Sequence, residues 1–172
     1  MEIEKVIITG FRNYAKATVN LQSKTLLIGA NDSGKTNFVY ALRLLLDKSL
    51  SESDLEPSES DFHISKKGVQ SEDLSIEIHF KEIIEDAVLS ILKGNVSSNG
   101  KSVLRYEANR KNLDYILKSG IDEKHLSTVN SRFYLKYLNL KYVKSSRDLE
   151  KFVNIEKKHL LKLSQELRST EE

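Results

Sequence analysis

The sequence predicts an α/β fold in which a mixed sheet is flanked by helices, and three observations predict it. Short runs rich in valine and isoleucine open the chain, EIEKVII (2–8) and KATVNL (16–21). DLSIEIHF (73–80) alternates apolar and polar residues, the period of a strand with one face buried. Between them a glycine-rich turn, GANDSGKT (29–36), joins an apolar run, KTLLIG (24–29), to a leucine-rich one, FVYALRLLLD (38–47).

In chain order, 2–8 and 16–21 read as strands around a turn, TGFRNYA, whose glycine and asparagine suit a reversal. KTLLIG is apolar at consecutive positions, as in a strand covered on both faces. From Lys35 to Leu46 the apolar residues wrap most of the way round, which predicts a helix buried against the sheet. Residues 47–67 are serine-rich and acidic and hold Pro57, the only proline, so they read as an exposed loop. After strand 73–80, residues 82–93 have helical spacing and stop at Gly94–Asn95. VLRYEANRKNLDYILK (103–118) fits either a hairpin turning near Arg110–Asn112 or a helix. Asp122 suits the N-cap of a short helix. YLKYLNLKYV (134–143) is β-like, and 147–169 has the spacing of a long helix.

Composition sets limits on function. With 172 residues the chain can form one sizeable domain or part of a larger one. It has no cysteine, which excludes a disulfide framework, a zinc ribbon and a thiol nucleophile. His63, His79, His125 and His159 lie far apart and show no metal-ligand spacing. The net charge of +2 does not announce a nucleic-acid partner. Charge is uneven, however: 47–86 holds 12 acids against 4 bases, and 132–168 holds 10 bases against 4 acids, more simply a solvated helix face than a nucleic-acid track. No apolar run reaches the roughly 18–20 residues of a bilayer span, and the acidic N-terminus lacks the basic start of a secretory signal. These features predict a cytoplasmic protein with no membrane association.

The turn at 29–36 carries the chemistry. Gly29, Gly34, Lys35 and Thr36 fill the pattern G-x-x-x-x-G-K-[ST], the phosphate loop of P-loop NTPases. Glycines let the backbone wrap so that successive N–H groups point inward at phosphate oxygens. The lysine reaches the β- and γ-phosphates, and the threonine hydroxyl joins the shell of a Mg²⁺ ion. The helix that starts there presents its positive dipole end to the same anion. The expected cofactors are ATP and Mg²⁺, with Thr36 as the metal-side residue. Gly29, Ala30, Asn31, Asp32, Ser33, Gly34, Lys35, Thr36 and Asn37 are the expected nucleotide-binding stretch.

Asn31 within the loop, Asn37 after it, the F-x-x-A-L of Phe38–Leu42 and the G-F-R-N-Y of Gly10–Tyr14 resemble the ATPase heads of the SMC, Rad50 and RecF class. A narrower likeness runs through NDSGKTNFVYALRLLLDKSLSESDL and SESDFH. This combination resembles the ATPase domain of OLD-family (overcoming lysogenization defect) nucleases, a group that includes the nuclease subunit of the Gabija anti-phage system. YVKSSRDL (142–149) is similar to a strand-then-Arg-Asp step of the same heads; the likeness is dense over 1–80 and thin beyond. It implies that Arg12 and Asn13 lie beside the adenine or ribose, with Asn31 and Asp32 lining the loop. It also implies an ABC/SMC-like head that dimerises around two nucleotides, acts on DNA, and works with a helicase-like or other defence-system partner. The plain alternatives are a polar turn at Arg12–Asn13 and a loop anchor at Asp61–Phe62.

Hydrolysis needs more than a cradle. A Walker B strand should end in acids that hold magnesium and orient water, yet SIEIHF ends in His-Phe and LKYLNLKYVK in lysine. LSQEL (163–167) only echoes the signature that completes a partner's site. The Toprim nuclease module, with its glutamate and Asp-x-Asp metal site, has no counterpart. The expectation is therefore an incomplete ATPase: 1–144 an N-terminal lobe and 145–172 a helix leading to a dimerisation arm. ATPase and nuclease activity would then belong to a longer protein, possessed of a role in anti-phage defence. The other readings are a RecF- or Rad50-like repair ATPase fragment and a stand-alone ATP-binding regulatory module. A GTPase is disfavoured because NRKNLD (109–114) does not match Asn-Lys-x-Asp, and a kinase because no basic lid is evident.

Overall fold

A computed structural model describes residues 1–143, 153, 156–158, 160 and 161. The chain divides into two compact units, Met1–Leu140 and Lys141–Glu172. In the first, six strands form one sheet: β1 (Glu2–Phe11), β2 (Tyr14–Asn20), β3 (Asp73–Lys81), β4 (Ser102–Asn109), β5 (Asp114–Gly120) and β6 (Leu126–Thr128). Their order is β2-β1-β3-β4-β5-β6. Helix α1 (Lys35–Leu46) lies over one face, and a six-residue helix α2 (Asp86–Ile91) follows β3.

Alternation decides which face is which. Val6 and Ile8 of β1, Leu74, Ile76, Ile78 and Phe80 of β3, and Leu104, Tyr106 and Ala108 of β4 all point to one side and are buried. α1 covers that side with Phe38, Ala41, Leu42 and Leu45, an i, i+3, i+4, i+7 stripe, and buries Leu44 and Leu46 as well. The intervening positions carry charge. Glu77 and Arg105 sit opposite each other across β3 and β4 and pair at 3.0 Å. Arg105 also meets Glu107 at 3.0 Å, and Glu107 meets Lys118 at 2.6 Å. The sheet is thus apolar on one face and a lattice of opposite charges on the other, as antiparallel sheets allow.

Several expectations are met and several corrected. α1 occupies the predicted span, and 103–118 resolves as the β4–β5 hairpin with Leu113 at φ 49 in its turn. All five strand pairings among the described residues are antiparallel, where a mixed sheet was expected. The reason lies in KTLLIG: residues 24–29 form no strand, and Leu26 and Ile28 are 81% and 85% exposed. A strand needs a neighbour to bond its backbone and layers to cover its faces, and no described segment supplies either. The predicted strand at 134–143 gives way to a 3₁₀ turn, Phe133–Lys136, because burial falls on Tyr134, Leu135 and Leu138, a helical and not an alternating pattern. The Tyr134 hydroxyl donates to the Leu45 carbonyl at 3.0 Å, fixing that turn against the end of α1.

The predicted helix over 82–93 shortens to Asp86–Ile91, since Glu82 sits at φ 55, outside helical backbone. Asp122 caps a turn instead of a helix: its carboxylate accepts from the Lys124 and His125 amides at 2.8 and 2.9 Å, and the chain then joins the sheet as β6. The acidic stretch 47–67 is more firmly held than an exposed loop, for Leu55 and Phe62 are core residues. The Tyr106 hydroxyl donates to Leu55 O at 2.6 Å. Asp47 closes α1, accepting from Arg43 Nε at 2.6 Å and from the Ser49 amide and hydroxyl at 2.8 and 2.6 Å. The long helix expected over 147–169 lies largely outside the described residues; those described between 153 and 161 are helical. Among the described residues no helix is long and apolar enough to cross a membrane.

The charged face makes stability depend on acid. Burial alone would push the Glu77 carboxyl up, but the hydrogen bond from His79 and the Arg105 guanidinium outweigh it and hold the group below the usual carboxylate range. A depressed carboxylate stabilises the fold fully above its unfolded value, near 4.5, and that contribution fades as pH falls through the folded value. Thermal midpoints of the wild type and Glu77→Gln measured from pH 7 downward should therefore differ most above the ordinary carboxylate value of 4.5 and converge as the pH falls through the lower folded value.

Candidate functional site

The site is built where the sheet, the β1–β2 turn and the start of α1 meet. Gly34 is the N-cap of α1, at φ 99 and ψ 0, a left-handed conformation that any Cβ would strain. Space reinforces the requirement: a Cβ there would stand 2.2 Å from Asn13 Nδ2 and 3.0 Å from the Tyr14 hydroxyl. No side chain caps the helix and no acid stands in its first turn. The first amides of α1 therefore keep their donors and their partial positive charge.

Lys35 folds back over the loop it ends. Its ammonium donates to Gly29 O at 2.7 Å, Ala30 O at 2.6 Å and Ser33 Oγ at 3.3 Å. An ammonium has three N–H bonds, so the loop's own oxygens fix where the charge sits before any ligand arrives. The Ser33 contact is the longest and the most readily exchanged. Asp32 adopts φ 63, which turns the loop without a glycine at that position. Ala30, Asn31, Asp32, Ser33 and Thr36 are exposed. The Thr36 hydroxyl makes no hydrogen bond among the described residues. An open hydroxyl one residue past the lysine fits a magnesium-side oxygen donor.

The β1–β2 turn packs onto this start of α1, so Arg12 and Asn13, distant in sequence, join the contiguous residues 29–37. Asn37 is the hinge of the contact: its Nδ2 donates to Asn13 Oδ1 at 2.8 Å, and its Oδ1 accepts from Arg12 Nη1 at 3.1 Å. Tyr14 donates to the Gly34 carbonyl at 3.0 Å, and burial pushes its hydroxyl up, so it stays protonated for that role. Arg12 also pairs with Asp61 through Nε at 2.9 Å and lies 4.3 Å over the Tyr40 ring. Burial raises the Tyr40 hydroxyl's pKa while the Arg12 guanidinium lowers it, and the balance is upward, leaving a neutral ring under the cation.

Asp61–Phe62 turns out to be both an anchor and a neighbour of the site. Phe62 is buried and bridges Phe11, while Asp61 reaches Arg12. Sequence reasoning missed Tyr40 and Tyr14 as members. The available signal was spacing, since Tyr40 follows Asn37 by three positions on the same side of α1. It also missed that Glu77, His79 and Glu123 converge, with donor atoms within 4.8 Å of one another. Each carboxylate there already has a cation, Arg105 for Glu77 and Lys5 at 3.1 Å for Glu123.

A family model for an AAA ATPase domain matches residues 1–171, and the chain belongs to that family. It is 30% identical over 183 residues to endonuclease GajA of Bacillus cereus (strain VD045), an alignment covering 99% of this chain and 32% of that protein. It is 24% identical over 164 residues to the chromosome partition protein Smc of Aquifex aeolicus, covering 89% of this chain and 14% of Smc. Over 46 residues it is 46% identical to the DNA replication and repair protein RecF of Crocosphaera subtropica. The chain thus spans a third or less of the length of the curated relatives it matches. Its fold is similar to that in a structure described for ATP-driven dimerization and DNA-stimulated activation of SMC ATPases. The TM-score is 0.63 at 21% identity, over 94% of this chain and 98% of that one. A RecF–ATP structure superposes at 0.55 with 16% identity, over 87% and 34%. The fold is that of SMC- and RecF-type ATPase heads, of the P-loop NTPase class, and ATPase domains of this type bind nucleotide.

Gly34→Ala should cost about 1–2 kcal/mol of stability from backbone strain and abolish nucleotide binding. Gly68→Ala is the control: its φ is +77 but a Cβ there meets nothing within 4 Å. That variant should lose similar stability in thermal melts and keep its nucleotide affinity.

Proposed function

We propose that this AAA ATPase domain is the nucleotide-binding lobe of an OLD-like, DNA-directed ATPase–endonuclease, and that it takes ATP with Mg²⁺ at Gly29–Thr36. The observation that carries nucleotide binding is the Lys35 ammonium, fixed on two carbonyls of a loop whose following helix start has neither cap nor acid. A triphosphate supplies what that geometry lacks: oxygens for the free amides and negative charge for the lysine and the helix end. The loop amides and Lys35 hold the phosphates, and Asn31 and Asp32 line the loop. The Thr36 hydroxyl is the protein's donor to magnesium, which neutralises phosphate charge when bound. Arg12 and Asn13 border the nucleotide from the β1–β2 turn.

The identity to endonuclease GajA across nearly the whole chain supports the nuclease-linked reading over a RecF-like repair ATPase. The short, higher-identity RecF segment favours the second reading only around the loop itself. DNA as substrate, a dimer of heads, a helicase-like or other defence partner, a role in anti-phage defence and a cytoplasmic location all follow from the first reading. Leu26 and Ile28 bear on completeness. An exposed apolar run that leads straight into the loop suits a strand whose neighbours come from sequence beyond this chain. The acids that orient the attacking water would come from there as well.

Calorimetry with ATP–Mg²⁺ should show binding by the wild-type chain, weakened at least tenfold by Lys35→Ala, the scale set by charge-assisted hydrogen bonds. Phosphate release on the same samples should be negligible. Turnover at an ordinary ATPase rate, lost in the Lys35 variant, would contradict the half-site reading.

A further inference from the structure

Residues 58–63 tie the β1–β2 turn to the core through a set of hydrogen bonds. Asp61 is the centre. Its Oδ1 accepts from Arg12 Nε at 2.9 Å, and its Oδ2 accepts from the Ser58 amide and hydroxyl at 2.9 and 2.8 Å. Its main-chain carbonyl accepts from the Arg12 amide at 2.7 Å. His63 adds two further ties to the same turn, its amide donating to Gly10 O and its Nδ1 lying 2.8 Å from Arg12 O. Arg12 itself sits at φ 48, a backbone that arginine does not choose unaided. Both the backbone and the head group of Arg12 are thus held by one short segment about fifty residues later in the chain.

The head group is held, not consumed. A guanidinium has five N–H donors in a rigid fork. Here Nε goes to Asp61 and one Nη1 donor to Asn37, while Tyr40 lies against the plane. The side chain remains 30% exposed, and the remaining donors are available to an anionic or polar ligand. Asn37, which shares Arg12 with Asp61, is two residues past Lys35, so these donors stand at the rim of the phosphate loop.

Resting on the nucleotide-binding reading, we propose that Asp61 is a positioning residue for the nucleotide: it sets the Arg12 guanidinium at the rim of the phosphate loop and touches no ligand itself. Its carboxylate divides its work, one oxygen orienting Arg12 and the other closing the Ser58 capping box. Asp61→Asn removes the charge and with it the ion pair, and leaves a single acceptor oxygen for the two duties. Ser58→Ala loosens the capping box and leaves the Arg12 pair intact.

The test is a double-mutant cycle on the full chain, reading ATP–Mg²⁺ affinity by calorimetry and the thermal midpoint in parallel. Asp61→Asn should weaken ATP binding about three- to tenfold, a scale typical of coupling through one positioned side chain. Arg12→Ala should weaken it at least as much, and the double variant should bind no worse than Arg12→Ala alone. Ser58→Ala should lower the midpoint while leaving affinity within about twofold. Additive losses in the double variant, or unchanged affinity in Asp61→Asn, would overturn the proposal. So would an equal loss of affinity in Ser58→Ala, since that marks a purely structural loop. The wild-type titration is read first: absence of binding there would instead overturn the nucleotide-binding reading, and this proposal with it.

Discussion

The structure depends on how α1 is buried. Phe38, Ala41, Leu42 and Leu45 press one stripe of the helix onto the apolar face of β1, β3 and β4, and these positions are nearly without solvent contact. Such packing fixes the rotation and height of a helix, because interiors are close-packed and tolerate little sliding. With α1 fixed, its first turn is fixed too, and with it Gly34, Lys35 and Thr36. The far end is fixed independently. Asp47 closes the last turn against Arg43 and Ser49, and Arg132 donates to the Asp47 and Leu50 carbonyls at 3.1 and 2.5 Å. The phosphate loop is short and exposed, yet its lysine is held because both ends of the helix it leads into are anchored.

The two faces of the sheet divide the labour. One buries the helix; the other is a network in which Lys5, Glu77, Arg105, Glu107, Lys118 and Glu123 neutralise one another. Where His79 converges with two glutamates, each carboxylate has a cation within 3.1 Å. The β1–β2 turn connects this scaffold to the site. It leaves the sheet at Gly10 and Phe11, places Asn13 against Gly34, and lends Tyr14 to the Gly34 carbonyl.

Much of this was legible in the sequence, for a physical reason in each case. α1 was legible because a glycine-lysine start and a continuous apolar stripe agree on one helix, and β3 because its alternation has a strict period of two. The G-x-x-x-x-G-K-[ST] pattern at Gly29, Gly34, Lys35 and Thr36 could be read because its spacing follows from backbone geometry, and the structure sets Gly34 as the left-handed start of α1; its role toward nucleotide is the proposal above. KTLLIG misled because a strand is a property of two segments: the run has the composition of a buried strand but no described partner. YLKYLNLKYV misled because β-propensity is weak beside packing: Tyr134 and Leu135 are both buried, and the Tyr134 hydroxyl is tied to the Leu45 carbonyl of α1. The company of Arg12 was only partly legible. A resemblance implied a seat beside the adenine or ribose, but its pairing with Asp61 and its seat on Tyr40 depend on how distant segments fold together.

The central claim is that the pre-set loop at Gly29–Thr36 receives a nucleoside triphosphate. Its most direct test is to follow the backbone amide resonances of the isotope-labelled chain as ATP–Mg²⁺ is added. The account predicts the largest shifts at Gly34, Lys35 and Thr36, whose N–H groups begin α1 without a partner among the described residues, and at Ser33, whose amide donates to the Ala30 carbonyl at 3.3 Å and would exchange it for phosphate. Smaller shifts should fall at Arg12 and Asn13. Shifts centred instead on the cleft lined by Tyr115, Arg132 and Phe133, with the loop amides unmoved, would contradict it.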